Sequence, residues 1–206
     1  VFSDLSNHRI GSGFLTIVAA TNVLGSQFVI LQANETIALY LWILGLALWF
    51  LLIYTLFTAL TVKEEKPTLE DGINGGWLLF IVSTQSVPVL GMLIVSRFEA
   101  WQEMFTFSML GFYLLGCMFY ILIISLIMYR FLFFKIEAEE MNPSYWINTG
   151  AVAITTLAGA NILLKGTAPF LSDLSPFIKG FTIFFWAAGT WWIPYLFIVG
   201  AWRHFY

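Results

Sequence analysis

The stretch 74–91 reads NGGWLLFIVSTQSVPVLG and constrains the fold more than any other part of the chain. It is long enough to cross a bilayer as a helix, because about 20 mainly apolar residues span the hydrocarbon layer. It also carries Ser, Thr and Gln at its middle, together with a proline and several glycines. Polar groups at membrane depth are costly unless they contact protein or water. We therefore expect this stretch to face the inside of a helix bundle or a cavity.

The composition of the whole chain is typical of an integral membrane protein. Of its 206 residues, 60% are hydrophobic and 10% are charged, whereas soluble domains carry about 25% charged residues. The basic residues form no patch or stripe, so no nucleic-acid partner is expected. The single cysteine, Cys117, lies in an apolar run and is predicted to be a small buried residue. The lipid bilayer is therefore the first predicted partner.

Six apolar segments predict six transmembrane helices, since each is long enough for a helical span. They cover residues 13–33, 37–62, 75–96, 105–134, 146–164 and 177–202, and the short connections between them hold nearly all the charge. The predicted fold is an all-α membrane protein with a single transmembrane domain over residues 1–206. We expect this domain to be incomplete at both ends.

Lys and Arg are distributed unevenly between the two sides of the predicted spans. The side of the chain ends holds Arg9, Lys63, Lys66, Arg130, Lys135 and Arg203, and the opposite side holds Arg97, Lys165 and Lys179. Cytoplasmic connections carry the excess of Lys and Arg in membrane proteins. Both chain ends are therefore predicted to lie in the cytoplasm, with the protein in the cell or inner membrane.

The six spans are of two kinds. The first, third and fifth are rich in small and polar residues, whereas the second, fourth and sixth are dominated by Leu, Ile, Phe, Tyr and Trp. Small residues allow membrane helices to approach closely. The alternation predicts three helical hairpins, each with a small-residue inner helix and a bulky outer helix.

A threefold repeat supports this division. Steps of four residues stay close to one helical face and give a narrow stripe on each inner helix. In the third copy, which is the weakest, Ala158 takes the place of Thr21 and Thr84. The stripes and the polar residues beside them are the predicted pore-lining residues: Gly13, Ile17, Thr21, Asn22 and Gly25; Gly76, Phe80, Thr84, Gln85 and Pro88; Gly150, Ile154, Ala158 and Asn161.

Two interpretations of the polar residues remain open. Ser, Thr and Asn often hydrogen-bond between membrane helices for about 0.6 to 2 kcal/mol, and such packing explains each residue taken singly. Their placement together on one kind of helix favours a shared polar path. A lining of neutral donors favours anions, because cation pathways typically carry rings of Asp or Glu. Pro88 is expected to bend its helix and to leave carbonyl groups facing a cavity.

The sequence carries no recognisable catalytic or metal-binding pattern. His8 and His204 lie at opposite ends of the chain, outside the spans, and predict neither a haem nor a metal site. The Asp and Glu residues lie in connections, in the N-terminal segment or at span edges, so no proton relay is predicted within the spans. A phosphate-binding loop is also missing. We predict no enzymatic activity, no cofactor and no metal.

Several short motifs follow one another along essentially the whole chain. They are GSGF (11–14), VLGSQF (23–28), FTALTVKEEKP (57–67), GING (72–75), YWIN (145–148), TTLAG (155–159), GTWWIP (189–194) and WRH (202–204). By their order and spacing they resemble the tellurite-resistance/dicarboxylate transporter family, which also contains the plant slow-type anion channels. That family forms a bundle of ten helices, arranged as five hairpins around a central pore, and is usually trimeric.

The resemblance implies that the six spans are similar to the third to eighth helices of that bundle, with the inner helices lining the pore. The family's gating phenylalanine lies on the ninth helix, so no residue of this chain, including Phe80, is given that role. The implied function is a homotrimeric passive channel or transporter for small inorganic or organic anions, of the tellurite, dicarboxylate, sulfite or halide type. Two alternatives remain: a proton-linked dicarboxylate or oxyanion transporter, and a membrane scaffold or fragment that transports nothing.

Overall fold

Six long helices make up most of the protein. The structure, a computed structural model, describes residues 2–205. Within that range the long helices are α1 (Thr16–Gln32), α2 (Glu35–Val62), α3 (Leu79–Leu93), α4 (Gln102–Phe133), α5 (Ile147–Lys165) and α6 (Leu171–Phe205). With the turns that continue some of them, all six are long and apolar enough to cross a membrane. The predicted all-α fold with six transmembrane helices is confirmed.

The helix ends differ from the predicted spans where proline or a kink intervenes. The sixth helix begins at Leu171 rather than near 177, so that Pro176 lies in its second turn. The third ends at Leu93, and a short 3-10 segment over Val95–Trp101 follows, in which Phe98 has non-helical backbone angles. This segment turns the chain from α3 into α4.

Each inner helix begins with the same local structure. A 3-10 turn over Gly11–Leu15, Gly75–Leu78 or Pro143–Trp146 runs directly into α1, α3 or α5. An asparagine precedes each turn, and its side-chain oxygen accepts a hydrogen bond from the backbone N–H two residues later. These residues are Asn7, Asn74 and Asn142, with N···O distances of 2.9, 2.7 and 2.9 Å. Such a bond turns the chain tightly, directly before the 3-10 turn at Asn74 and Asn142 and four residues before it at Asn7.

The helices form two layers. The inner helices α1, α3 and α5 lie side by side in the first layer, with α3 in the middle. In the second layer α2 contacts both α1 and α3, α4 contacts both α3 and α5, and α6 packs against α5. The middle helix α3 is the most deeply buried of the six spans. The predicted division into three hairpins with inner and outer helices is confirmed.

One side chain of each inner helix packs against a glycine of its outer helix. A Cβ atom added at any of these glycines would overlap the inner side chain. The pairs are Asn22 with Gly45, Gln85 with Gly116, and Val152 with Gly189. In the third hairpin Val152 therefore makes the contact that Asn22 and Gln85 make in the first two, although the predicted repeat aligns these two residues with the position after Ala158. Gly159 serves another contact, since it lies against Thr182 and Tyr113.

Candidate functional site

A cavity of about 670 Å³ lies where the three inner helices begin. It is lined by residues from the segments 9–13, 71–79 and 139–147 and by Arg130. We call it the mouth cavity. Two of the predicted pore residues, Gly13 and Gly76, line it together, although they are 63 positions apart in the sequence.

The glycine pair at positions 75 and 76 joins the three helix starts. At Gly75, an added Cβ would overlap the backbone of Ser144 and Tyr145 at the start of the third inner helix. At Gly76, an added Cβ would lie 3.2 Å from the hydroxyl oxygen of Ser12, at the start of the first inner helix. Both neighbours can approach so closely only because neither position carries a side chain. The stretch that begins at Asn74 is therefore the centre of the mouth.

Hydrogen bonds connect the first and second helix starts across this point. The Arg9 guanidinium donates through Nε to the Asp71 carbonyl oxygen at 3.0 Å and through Nη2 to the Asp71 carboxylate at 3.4 Å. In return, Asn74 Nδ2 donates to the Arg9 carbonyl oxygen at 3.2 Å. The ion pair is exposed, with 63% and 59% of the two side chains accessible, so its own contribution is about 0 to 1 kcal/mol.

A histidine and a tryptophan complete this side of the mouth. The Trp77 indole N–H donates to the carbonyl oxygens of His8 at 2.9 Å and Gly72 at 3.0 Å. Partial burial and the positive charges of Lys63 and Lys66 hold the pKa of the His8 imidazole below its usual value of 6.5. This environment favours the neutral ring.

The middle helix exposes only one narrow line of residues. Leu79, Val82 and Leu93 are partly exposed, whereas the remaining residues of α3 are buried. Ser86 and Val89 lie on the same line, because positions spaced alternately by three and four lie on one helical face, but both are buried, so the line is exposed only at Leu79, Val82 and Leu93. We call this line the open face of α3. It carries no charge, and Leu79 connects it to the mouth cavity.

Two predicted pore residues on α3 point into the bundle instead. Phe80 is fully buried and packs on Phe57 of α2, with ring centroids 4.9 Å apart. The Thr84 hydroxyl is also fully buried, donates to the Phe80 carbonyl oxygen at 2.7 Å and accepts from Trp49 Nε1 at 2.9 Å. Both side chains are occupied by contacts with α2 or within α3. Their direct contact with a permeating ion stays a prediction.

The amide side chains join neighbouring helices. Asn22 Nδ2 on α1 donates to Ser86 Oγ on α3 at 3.0 Å. Gln85 Nε2 donates to the Tyr113 carbonyl oxygen on α4, also at 3.0 Å. Hydrogen bonds of this kind are the helix packing that explains each polar residue taken singly. A pore-lining role for Asn22 and Gln85 therefore also stays a prediction.

Pro88 is buried and held from both sides. Trp42 Nε1 on α2 donates to the Val87 carbonyl oxygen at 3.1 Å. On the other side, Asn161 Nδ2 of α5 donates to the Val89 carbonyl oxygen at 3.3 Å. The carbonyl groups on either side of the proline are thus bonded to protein. The carbonyl that Pro88 itself leaves without a helical donor is that of Thr84, four residues earlier, and its contact with a cavity stays a prediction.

The remaining predicted residues divide by exposure. Gly13, Ile17 and Gly150 are exposed, Thr21, Gly76 and Ile154 are partly exposed, and Gly25 and Ala158 are buried. The Thr21 hydroxyl donates to the Ile17 carbonyl oxygen at 2.8 Å. Of this set, the structure brings only Gly13 and Gly76 together in one cavity among the described residues.

The sequence analysis did not identify several residues that line the mouth cavity as functional. The clearest is Arg130, whose side chain is 5% exposed and lines the mouth cavity. A single arginine in the last turn of an otherwise apolar span was a usable sign, because buried charges are paired or functional. A second sign was the asparagine that precedes each inner helix.

Comparison with known proteins identifies relatives over most of the chain. An uncharacterized transporter of Methanocaldococcus jannaschii is 25% identical over 193 residues, which cover 93% of this chain and 55% of that protein. A second uncharacterized transporter of the same organism is 26% identical over 191 residues, covering 92% of this chain and 54% of the relative. An uncharacterized membrane protein of Mycobacterium tuberculosis is 38% identical over 85 residues, covering 41% of this chain and 43% of the relative.

The chain spans about half the length of the two transporters that it matches. No solved structure gives a significant match. The family model described as voltage-dependent anion channel matches residues 6–204, which include the mouth cavity and all but the last residue of the six helices. The family resemblance inferred from the motifs is thereby confirmed, and this chain belongs to the voltage-dependent anion channel family.

Proposed function

We propose that small anions cross the membrane along the open face of α3, starting from the mouth cavity. The observation that carries this proposal is the continuity between the two: Leu79 lines the mouth cavity and begins the uncharged open face. We place the exposed and partly exposed predicted residues of the neighbouring segments beside this path. They are Gly13 in the turn before α1, Ile17 and Thr21 on α1, and Gly150 and Ile154 on α5.

The chemistry of this path suits an anion that sheds part of its water. Leu79 and Val82 repel neither sign of charge, and no carboxylate lies on the open face among the described residues. Selectivity in such a lining is set by pore width and by the cost of dehydration. Buried polar residues such as Thr84 and Gln85 do not line this path; they hold α3 in position by hydrogen bonds to α2 and α4.

The complete pathway includes further helices. Relatives of about twice the length support the proposal that hairpins outside these 206 residues close the path into a pore. The mouth cavity lies on the side of the chain ends, and the Lys and Arg distribution predicts that this side is cytoplasmic. We propose assembly as a homotrimer, as the family resemblance implies.

Flux measurements in liposomes test this function. The complete protein, including the hairpins outside these 206 residues, is purified and reconstituted. A membrane potential is imposed with potassium and valinomycin, and the fluxes of chloride, sulfite and malate are followed. We expect a flux that depends on the potential and persists without a pH gradient. A flux that follows an imposed pH gradient at zero potential identifies the proton-linked alternative. A flux equal to that of protein-free liposomes contradicts transport altogether.

A further inference from the structure

Arg130 occupies an unusual position at the mouth. It lies in the last turn of α4, at the membrane edge, yet its side chain is almost completely buried. A buried charge is retained only where its hydrogen-bonding groups are satisfied. The partners of Arg130 therefore indicate what the residue holds in place.

Each nitrogen of the Arg130 guanidinium donates to a different segment. Nε donates to the Glu70 carbonyl oxygen at 2.8 Å, in the turn that precedes the second inner helix. Nη1 donates to the Tyr145 hydroxyl, at the start of the third inner helix. Nη2 donates to the Glu140 carboxylate at 3.2 Å, in the connection that leads there.

These three bonds converge next to the closest contact of the mouth. Gly75 lies directly against the backbone of Ser144 and Tyr145, and Arg130 binds residues on both sides of that contact. A planar guanidinium can direct donors along several fixed directions at once, whereas a lysine ammonium is a compact point charge on a flexible chain. The geometry of the fork, and not only its charge, sets how the second and third helix starts are spaced.

We infer that Arg130 is a positioning residue for anion transport: it fixes the width of the mouth between the second and third inner helices and so affects which anions enter. The inference rests on the proposed function. Arg130 does not itself need to touch the anion. Its expected effect is on the preference between small and large anions rather than on the existence of transport.

Arg130→Lys is the first test, because it keeps the charge and removes the fork. Lys135→Gln is the matched control, since Lys135 lies just beyond the same helix end and its side chain is 83% exposed. Chloride and malate fluxes are measured in liposomes for both variants and for the unchanged protein. Folding is checked by gel filtration and thermal unfolding in detergent. We expect Arg130→Lys to shift the chloride-to-malate flux ratio by about threefold or more, while the control leaves the ratio unchanged.

Tyr145→Phe is the second test: it removes one hydrogen-bond partner of Arg130 and keeps the guanidinium and its other two partners. If Arg130→Lys does not fold, the ratio in Tyr145→Phe decides, and a shift of the flux ratio in this variant supports the inference. An unchanged flux ratio in folded Arg130→Lys overturns the inference. If that variant does not fold, an unchanged ratio in folded Tyr145→Phe does so. Either result leaves the proposed function standing. If the unchanged protein moves neither anion, the proposed function fails first and the inference fails with it.

Discussion

Replacement of Gly75 by alanine tests the tight contact at the centre of the mouth. The new methyl group would overlap the carbonyl carbon and oxygen of Ser144 and the nitrogen of Tyr145. These are backbone atoms at the start of an inner helix, so they cannot move aside by a change of rotamer. The helix start must shift, and with it the lining of the mouth cavity.

The expected change in unfolding free energy follows from comparing Gly75, which has no room for a methyl group, with Gly150, which has. Adding a methyl group to a well-packed site costs about 1 to 3 kcal/mol. At Gly150, on α5, an added Cβ meets no atom within 4 Å. Alanine in place of an unhindered helical glycine stabilises by about 1 kcal/mol. The two variants are therefore expected to differ in unfolding free energy by about 2 to 4 kcal/mol.

Unfolding in mixtures of mild detergent and SDS, followed by circular dichroism, measures this difference. The Gly150→Ala variant controls for the general effect of alanine in an inner helix. We expect Gly75→Ala to unfold at a lower SDS fraction than the unchanged protein, and Gly150→Ala at an equal or higher one. Equal stability of the two variants would refute the close backbone contact on which the mouth geometry depends.

Three further predictions concern single side chains. Leu79→Trp should lower anion flux by about tenfold, because it narrows the proposed path. Leu132→Trp, on the exposed outer side of α4, should leave the flux unchanged. Comparable flux from both variants argues against the proposed path. Thr84→Val should lower the free energy of unfolding by about 1 to 3 kcal/mol, because the buried Trp49 N–H loses its acceptor. It should leave the anion preference unchanged, and a changed preference in the folded variant would indicate that Thr84 contacts the anion. Burial and neighbouring lysines lower the pKa of His8, so its protonation opposes folding and stability should fall as the pH drops below 6.5. Unfolding measured over a range of pH should show a smaller loss in His8→Gln than in the unchanged protein. An identical pH profile for the two proteins would contradict this prediction.

Hydropathy and residue size predicted the layers of this fold. Spans of apolar residues have few alternatives to crossing a membrane as helices, and small residues mark the helices that pack most closely. For these reasons the six helices and the inner and outer hairpins were readable from the sequence. The importance of the stretch around Gly75 and Gly76 could be predicted as well, since two adjacent glycines allow close neighbours on both sides.

The sequence predicted less well which residues of each inner helix face the bundle and which face the proposed path. A step of four residues advances about 40° beyond a full turn, so the line from Gly76 through Phe80 to Thr84 drifts away from the open face. The open face instead passes through Leu79, Val82 and Ser86. In a soluble helix polarity would reveal the facing, but here lipid, helix neighbours and the proposed path all accept apolar side chains.

The mouth depends on contacts between segments that are distant in the sequence. Arg9 binds Asp71, and Arg130 binds Glu70 and Tyr145. Such pairs follow from how the layers pack and not from any local pattern. For that reason the sequence indicated charged residues at span edges without indicating that they connect the inner helices.

Cysteine accessibility at Leu79 tests the central claim, the anion path along the open face, most directly. Cys117, the only cysteine of the chain and a buried one as predicted, is first replaced by alanine. Leu79→Cys and, as control, Leu132→Cys are then treated with a negatively charged thiol reagent in flux-competent liposomes. The account predicts that labelling at Leu79→Cys blocks anion flux and is slowed by excess chloride, while treatment of Leu132→Cys changes nothing. Complete labelling at Leu79→Cys with undiminished flux would contradict it.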